Sequence, residues 1–212
     1  MMRIKQFTFN PFEENTYVLY DDSKECVIID PGMYTEADRK MFEIFIKENG
    51  LKPVLLLNTH CHVDHVFGNG WVSEKYGLNL SAHKEEVAVL EMYPTVCQMY
   101  GLNHLPSVEI TEFIDENDQI KFGNTELSIL FTPGHSPGSL SFYHEESKQL
   151  IDGDVLFERS IGRTDLPGGD YDTLISSINK KLFTLNDEVK VYPGHGRSTS
   201  IGSEKMYNPF FN

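Results

Sequence analysis

A chain of 212 residues with 18 basic and 32 acidic side chains carries a formal charge of −14. That balance argues against a sequence-independent hold on nucleic acid, which needs clustered Lys and Arg, and against attachment to an anionic membrane surface. The length allows a core to be buried without disulfide staples, and three cysteines (Cys26, Cys61, Cys97), an odd number with no spacing pattern, point to a reducing, cytoplasmic compartment.

Residues 1–14 lack the continuous apolar run of a signal peptide, and apolar runs such as 54–57 are far too short to span a bilayer. In chain order, residues 4–9 and 16–20 read as strands, separated by the turn-like Asn10-Pro11-Phe12-Glu13-Glu14. A short buried strand at 26–29 stops at Asp30-Pro31-Gly32. Met41, Phe42, Phe45 and Ile46 give 37–49 a helical period, and Gly50 fits the position just past its end. Residues 54–57 form the next strand, followed by Asn58-Thr59-His60-Cys61-His62-Val63-Asp64-His65 and a helix that runs to Tyr76 and is closed by Gly77. A strand at 78–82 and a helix at 84–92 follow; the stretch 93–109, with Pro94 and Pro106, reads either as a loop or as a helical insertion over a site. Strands return at 119–122, 126–131, 139–143 and 149–151. Leu174, Ile175, Ile178 and Leu182 mark a helix over 172–183; 189–192 is a last strand before Pro193-Gly194-His195-Gly196, and the tail 203–212 has room for one helical turn. No linker or repeat divides the chain, so 1–212 is read as one domain. Strand groups flanked by helices in both halves suggest an α/β layered sandwich.

Three of the eight histidines fall in His60-x-His62-x-Asp64-His65, a pattern with a chance expectation on the order of one in a thousand at this composition. In an extended segment His60 and His62 point to one side, where two imidazoles can share one metal ion. Asp64 and His65 come where the chain leaves the extended state and can face an adjacent position. Imidazole with carboxylate suits zinc, iron or manganese rather than calcium or magnesium. Thr132-Pro133-Gly134-His135, Asp152-Gly153-Asp154 and Pro193-Gly194-His195-Gly196 each add one candidate ligand after a strand.

This motif set, with His135, Asp154 and His195 following in order, resembles the metallo-β-lactamase superfamily over nearly the whole chain. Within it the chain is most similar to the glyoxalase II-like hydrolases, a likeness strengthened by Ile161-Gly162-Arg163-Thr164-Asp165 and Leu166-Pro167-Gly168-Gly169-Asp170. The resemblance implies an αββα four-layer sandwich with the metal site at one edge between the two sheets. It implies two divalent metal ions, zinc first, with iron or manganese as alternatives. His60, His62 and His135 would hold one, Asp64, His65 and His195 the other, and Asp154 would bridge them. Asp64 is also the candidate catalytic proton acceptor, and Cys61, pointing away from the ligands, is read as packing.

The expected reaction is hydrolysis of a small-molecule thioester, a hydroxyacyl thiol, because a thiolate leaves with little proton assistance whereas an amide nitrogen must be protonated. Arg163 is the candidate for binding a substrate carboxylate, with an ion pair to Asp165 as its structural alternative. Phe12, Tyr93, Tyr100 and Tyr207 are candidate pocket walls. Glyoxalase II proper has a C-terminal helical extension that contributes basic residues for glutathione; here seventeen residues follow His195, which puts glutathione in question as the thiol. The rival reading is a persulfide dioxygenase, similar in its Gly-Arg-Thr-Asp run, with a single iron on His60, His135 and Asp154. A metal-stabilised binding module is disfavoured, because structural zinc sites are usually closed and Cys-rich.

Overall fold

The structure, a computed structural model, describes residues 1–211. The first half of the chain forms β1 (Arg3–Phe9), β2 (Glu14–Tyr20), β3 (Glu25–Ile29), α1 (Glu36–Glu48), β4 (Lys52–Leu57), α2 (Asn69–Tyr76), β5 (Leu80–Ala82), α3 (Val87–Glu91), α4 (Tyr93–Tyr100) and β6 (Ile110–Phe113). Its six strands make one sheet in sequence order, antiparallel from β1 to β3 and parallel from β3 to β6. The second half forms β7 (Gln119–Phe122), β8 (Thr125–Phe131), β9 (Leu140–His144), β10 (Gln149–Gly153), the small hairpin β11 (Leu156–Phe157) and β12 (Ser160–Ile161), α5 (Tyr171–Ser177), β13 (Lys190–Pro193), β14 (Thr199–Ser200) and α6 (Ile201–Tyr207). Its sheet runs β14-β13-β10-β9-β8-β7, with β10 and β13 parallel and the other pairs antiparallel.

Strand alternation divides the core into three layers. Tyr17, Leu19, Val27, Ile29 and Leu57 of the first sheet pack against Ile120, Leu127, Ile129, Leu140 and Phe142 of the second. The intervening residues Val18, Cys26, Ile28 and Leu56 turn the other way, onto Phe42, Ile46, Val72 and Cys97 of the first half's helices. Leu150 and Val191 likewise turn outward, onto Leu174, Ile178 and Ile201. Helices therefore cover both outer faces, giving the αββα sandwich. This is why β3 is buried at four of its five positions and shows no polar face.

Local chemistry fixes the helix ends. Thr35 Oγ1 accepts from Asp38 N at 3.1 Å while Asp38 Oδ2 accepts from Thr35 N at 2.8 Å, a capping box that starts α1. Gly50 and Gly77 follow α1 and α2 with φ of 61° and 67°, a left-handed conformation that other residues adopt at a cost. Part of 93–109 is helical: α4 carries Pro94 in its first turn, where no N–H is needed. The helix expected up to Tyr76 begins later, at Asn69, after a separate 3-10 turn, Val63–His65. The 172–183 helix is α5 continued by a π turn, Ile178–Leu182. The tail holds α6, and Asn212 lies outside the described residues. β6, β11, β12 and β14 have no counterpart in the sequence reading; β6 buries only Ile110, so no period of two marks it. Among the described residues no helix is long and apolar enough to cross a membrane.

Replacing Phe142 by Ala, which removes a ring 1% exposed between the sheets, is expected to lower the unfolding free energy by about 3–5 kcal/mol. The same change at Phe113, 60% exposed on the edge strand, is expected to cost about 0.5 kcal/mol or less. Urea unfolding of the two variants side by side checks this, and equal losses would contradict the inter-sheet core.

Candidate metal centre

Every candidate ligand follows the end of a strand. β4 stops at Leu57, and the extended residues beyond it carry His60 and His62. The 3-10 turn that begins at Val63 then swings Asp64 and His65 in from a different direction. His135 follows β8, Asp154 follows β10 and His195 follows β13. The β10–β13 ladder shifts register between Ile151 and Gly153, the kind of local bulge that re-aims the side chains after it. The two sheets are tied at this edge by Leu140 N–H donating to the Thr59 carbonyl at 2.8 Å and by Asn15 N–H donating to the Gly194 carbonyl at 2.7 Å.

The ligand atoms converge in two groups. His62 Nδ1 lies 2.9 Å, and His60 Nε2 3.2 Å, from His135 Nε2. Around a tetrahedral ion with bonds of about 2.0–2.1 Å, neighbouring nitrogens stand about 3.3–3.4 Å apart, close to these separations. In the second group, His195 Nε2 is 3.0 Å and His65 Nε2 3.8 Å from Asp64 Oδ2. Asp154 stands between the groups: its Oδ2 is 3.6 Å from His135 Nε2 and 3.5 Å from His195 Nε2, and its Oδ1 is 3.5 Å from His65 Nε2. His65 Nε2 and Asp154 Oδ1 are buried without a hydrogen-bond partner. Leaving such atoms unpaired costs about 1–3 kcal/mol each, and a cation would satisfy both. Space is reserved for them as well: a Cβ on Gly194 would lie 2.2 Å from Asp154 Oδ1 and 2.7 Å from His65 Cε1. The donor set and its orphaned atoms fit a pair of divalent ions.

The far nitrogens of four imidazoles are held from behind, which fixes which nitrogen faces inward. His60 Nδ1 is 3.1 Å from Thr59 Oγ1, His65 Nδ1 is 3.1 Å from Asp30 Oδ2, His135 Nδ1 is 2.8 Å from the Arg163 carbonyl and His195 Nδ1 is 3.0 Å from the Phe12 carbonyl. Asp30 is itself gripped by Thr59 N–H at 2.7 Å, Thr59 Oγ1 at 2.6 Å and Asn58 Nδ2 at 3.1 Å. It sits near His60 and His65, but these bonds engage both its oxygens and leave it a support rather than a further ligand. Its φ of 50° is unusual for a non-glycine residue and keeps the carboxylate turned inward at the end of β3.

Burial pushes the His60 and His135 imidazoles below their ordinary range and His62 down to about 3, with neighbouring imidazoles adding to the shift at His60 and His62, so these three rings are held neutral. Burial opposes charge on Asp154 and Asp64 too, but His65 and His195 together outweigh it, with His135 helping at Asp154, and hold both carboxyls below the usual range. Burial also works against His65, and there the carboxylates of Asp64, Asp154 and Asp30 win and push it up. The cluster thus already favours positive charge among its carboxylates, a place a metal ion can take from those protons.

The seven ligand candidates are brought together. Arg163 is not turned onto them: its guanidinium makes a two-pronged pair with Asp165, both bonds 2.7 Å, on the exposed surface, while its carbonyl orients His135. Cys61 is buried in the apolar layer between the first sheet and its helices. Of the candidate pocket walls, Phe12 meets Tyr100 edge-on at 5.5 Å, Tyr93 belongs to the core, and Tyr207 packs under Arg159. Asp30, Asn58, Thr59 and Glu86 escaped sequence reasoning as site residues. Only Asp30 had a signal, since it ends a buried strand beside Pro-Gly, as the ligand candidates do.

The sequence matches the metallo-beta-lactamase superfamily over residues 9–195. It is 38% identical to hydroxyacylglutathione hydrolase GloC of Haemophilus influenzae, over 100% of this chain and 99% of that one. The fold superposes on the crystal structure of BLEG-1 B3 metallo-beta-lactamase with a TM-score of 0.90 at 35% identity, covering 99% of this chain and all of the other. It superposes on TTHA1623 in a di-iron-bound form with a TM-score of 0.85 at 34% identity, covering 97% and 99%. The chain therefore belongs to the metallo-beta-lactamase superfamily and is a metallo-hydrolase.

Proposed function

We propose that the protein hydrolyses a small hydroxyacyl thioester to the hydroxy acid and the free thiol, using two divalent cations, zinc first, with iron or manganese able to substitute. The observation that carries this reading is the pair of three-ligand groups sharing Asp154. When bound, such ions would lower the pKa of a water from about 15.7 towards about 7 and polarise an acyl carbonyl. His60, His62 and His135 would hold one ion, Asp64, His65 and His195 the other. Asp64 would also accept the proton that the attacking water gives up. Among the described residues Asp30 has both oxygens engaged and the other imidazoles and carboxylates of the cluster are ligand candidates, so the cluster holds no spare acid for an amide nitrogen. A thiol with pKa near about 8.5 departs as the thiolate without that help.

GloC supports the thioester, since its name specifies a hydroxyacylglutathione substrate and this chain spans 99% of its length. Glutathione therefore stays among the candidate thiols despite the short tail. Phe12 and Tyr100 would wall the entrance, and Arg163 would exchange Asp165 for a substrate carboxylate. Three unpaired, buried cysteines fit a cytoplasmic setting.

Protein stripped with a chelator is expected to release no thiol from lactoyl thioesters of glutathione or smaller thiols, and to regain release on adding zinc. A thiol-reactive chromophore gives the readout. If no lactoyl thioester is cleaved by the metal-loaded protein, the thioester reading falls. Bound metal measured on the protein as purified separates the rival: a single iron per chain, with oxygen uptake on a persulfide, would support the dioxygenase instead.

Arg163→Ala is expected to raise KM for a carboxylate-bearing thioester about 10-fold, the low end of a charge-assisted pair at an exposed site, with kcat little changed. A loss confined to kcat would remove Arg163 from substrate binding and leave its backbone contact to His135 as its part in the site.

A further inference from the structure

Glu86 is not one of the ligand candidates, and it lies behind them. It ends the 3-10 turn Lys84–Glu86 that follows β5, and it is fully buried. Its carboxylate accepts three hydrogen bonds: Oε2 from Cys61 N–H at 2.7 Å, and Oε1 from Ser136 Oγ–H at 2.6 Å and Gly138 N–H at 2.7 Å. Cys61 sits between His60 and His62, and Ser136 directly follows His135. One side chain from a third segment therefore grips both loops that carry the three-imidazole group. The packing is built around it, since a Cβ on Gly138 would lie 2.8 Å from Glu86 Cγ. The backbone bond from Leu140 to Thr59 joins the same two segments nearer the strands, so the sheets remain docked without Glu86. The turn holding Asp64 and His65 is secured separately, by Asn58 Nδ2 on the His65 carbonyl at 3.0 Å and by Asp30 on the His65 ring.

We propose that Glu86 is the positioning residue of the three-histidine ion site: its carboxylate sets the separation of the His60–His62 loop from the His135 loop, and with it the affinity of that one ion. The Asp64–His65–His195 ion is independent of it. This rests on the reading that the three imidazoles hold an ion.

Glu86→Gln tests it. A carboxamide has one acceptor atom, so its NH2 must face either Cys61 N–H or Gly138 N–H, and one of the two ties is lost. The metal-free proteins are titrated with cobalt or zinc against a chromophoric chelator. The expected result is two ions in the parent and, in Glu86→Gln, one ion of unchanged affinity and one bound about 10-fold more weakly, the low end of the loss seen when the support around a metal site is removed. The cobalt bands of that ion should shift, and kcat should fall with KM unchanged. Binding of both ions as in the parent, or equal weakening of both, would overturn the proposal. If Glu86→Gln does not fold, Ser136→Ala, which removes one donor, decides by the same titration: selective weakening of one ion supports it and unchanged binding overturns it. A parent that takes up no ion would overturn the metal reading itself, and the proposal with it, which is distinct from a variant that matches its parent.

Discussion

The structure turns on a cluster of imidazoles and carboxylates that cannot satisfy itself. The His60 ring stands 4.1–4.8 Å from those of His62, His65 and His135, with Asp64 and Asp154 beside them. Nitrogens as close as His62 Nδ1 and His135 Nε2, 2.9 Å apart, repel wherever both present a lone pair, and the buried His65 Nε2 has no hydrogen-bond partner. An arrangement of this kind persists only where the surroundings over-determine it. They do so here: Thr59, Asp30, the Arg163 carbonyl and the Phe12 carbonyl each hold one far nitrogen. A cation converts the mutual repulsion into a set of bonds, so metal binding and the integrity of this edge are linked.

The two sheets divide the centre between them. The loop after β4 in the first sheet supplies His60, His62, Asp64 and His65, while the second sheet supplies His135, Asp154 and His195 after β8, β10 and β13. Neither half contains the site. It exists only when Leu57 and Ile29 are packed on Leu140 and Phe142, so the apolar layer between the sheets sets the distance across which Asp154 reaches both ligand groups. Loops bear the chemistry, and the strands beneath them give it a rigid base.

The ligand candidates were legible because each stands beside turn-forming residues at the end of an apolar run, a pattern local in sequence. The supports were not, because they act across the chain: Asp30 meets His65 from 35 residues away, Glu86 meets Cys61 from 25, and the Phe12 carbonyl meets His195 from 183. Two of the four contacts to far imidazole nitrogens are backbone carbonyls, which any residue type could offer. Arg163 shows the same limit from the other side. Its guanidinium and its place in the Gly162-Arg163-Thr164-Asp165 run mark it in the sequence, but only the fold shows its guanidinium on Asp165 and its carbonyl on His135. The layered fold was legible because the strand clusters are strongly apolar; the edge strand β6 was not, with three of its four residues exposed.

Charge placement bears on how an anionic thioester would reach such a protein. A net charge of −14 repels anions at long range, yet at physiological ionic strength that field is screened over about 8 Å. Capture must therefore be local. Three of the five arginines, Arg159, Arg163 and Arg197, fall between Asp154 and the tail, in the hairpin and loops that follow β10 and β13. Each is paired with an acid: Arg159 with Glu204, Arg163 with Asp165 and Arg197 with Glu158. The pairs differ in what holds them. Glu204 is fully buried and also accepts from Thr199 and Asn208, so Arg159 is committed to structure. Asp165 and Glu158 are solvent-accessible partners of pairs worth little in water, and on the proposed reading they would yield to a substrate carboxylate. On the proposed reading, positive charge near the centre would stay neutralised until a substrate anion replaced the resident acid, and an acidic protein would bind an acidic ligand without a standing basic patch.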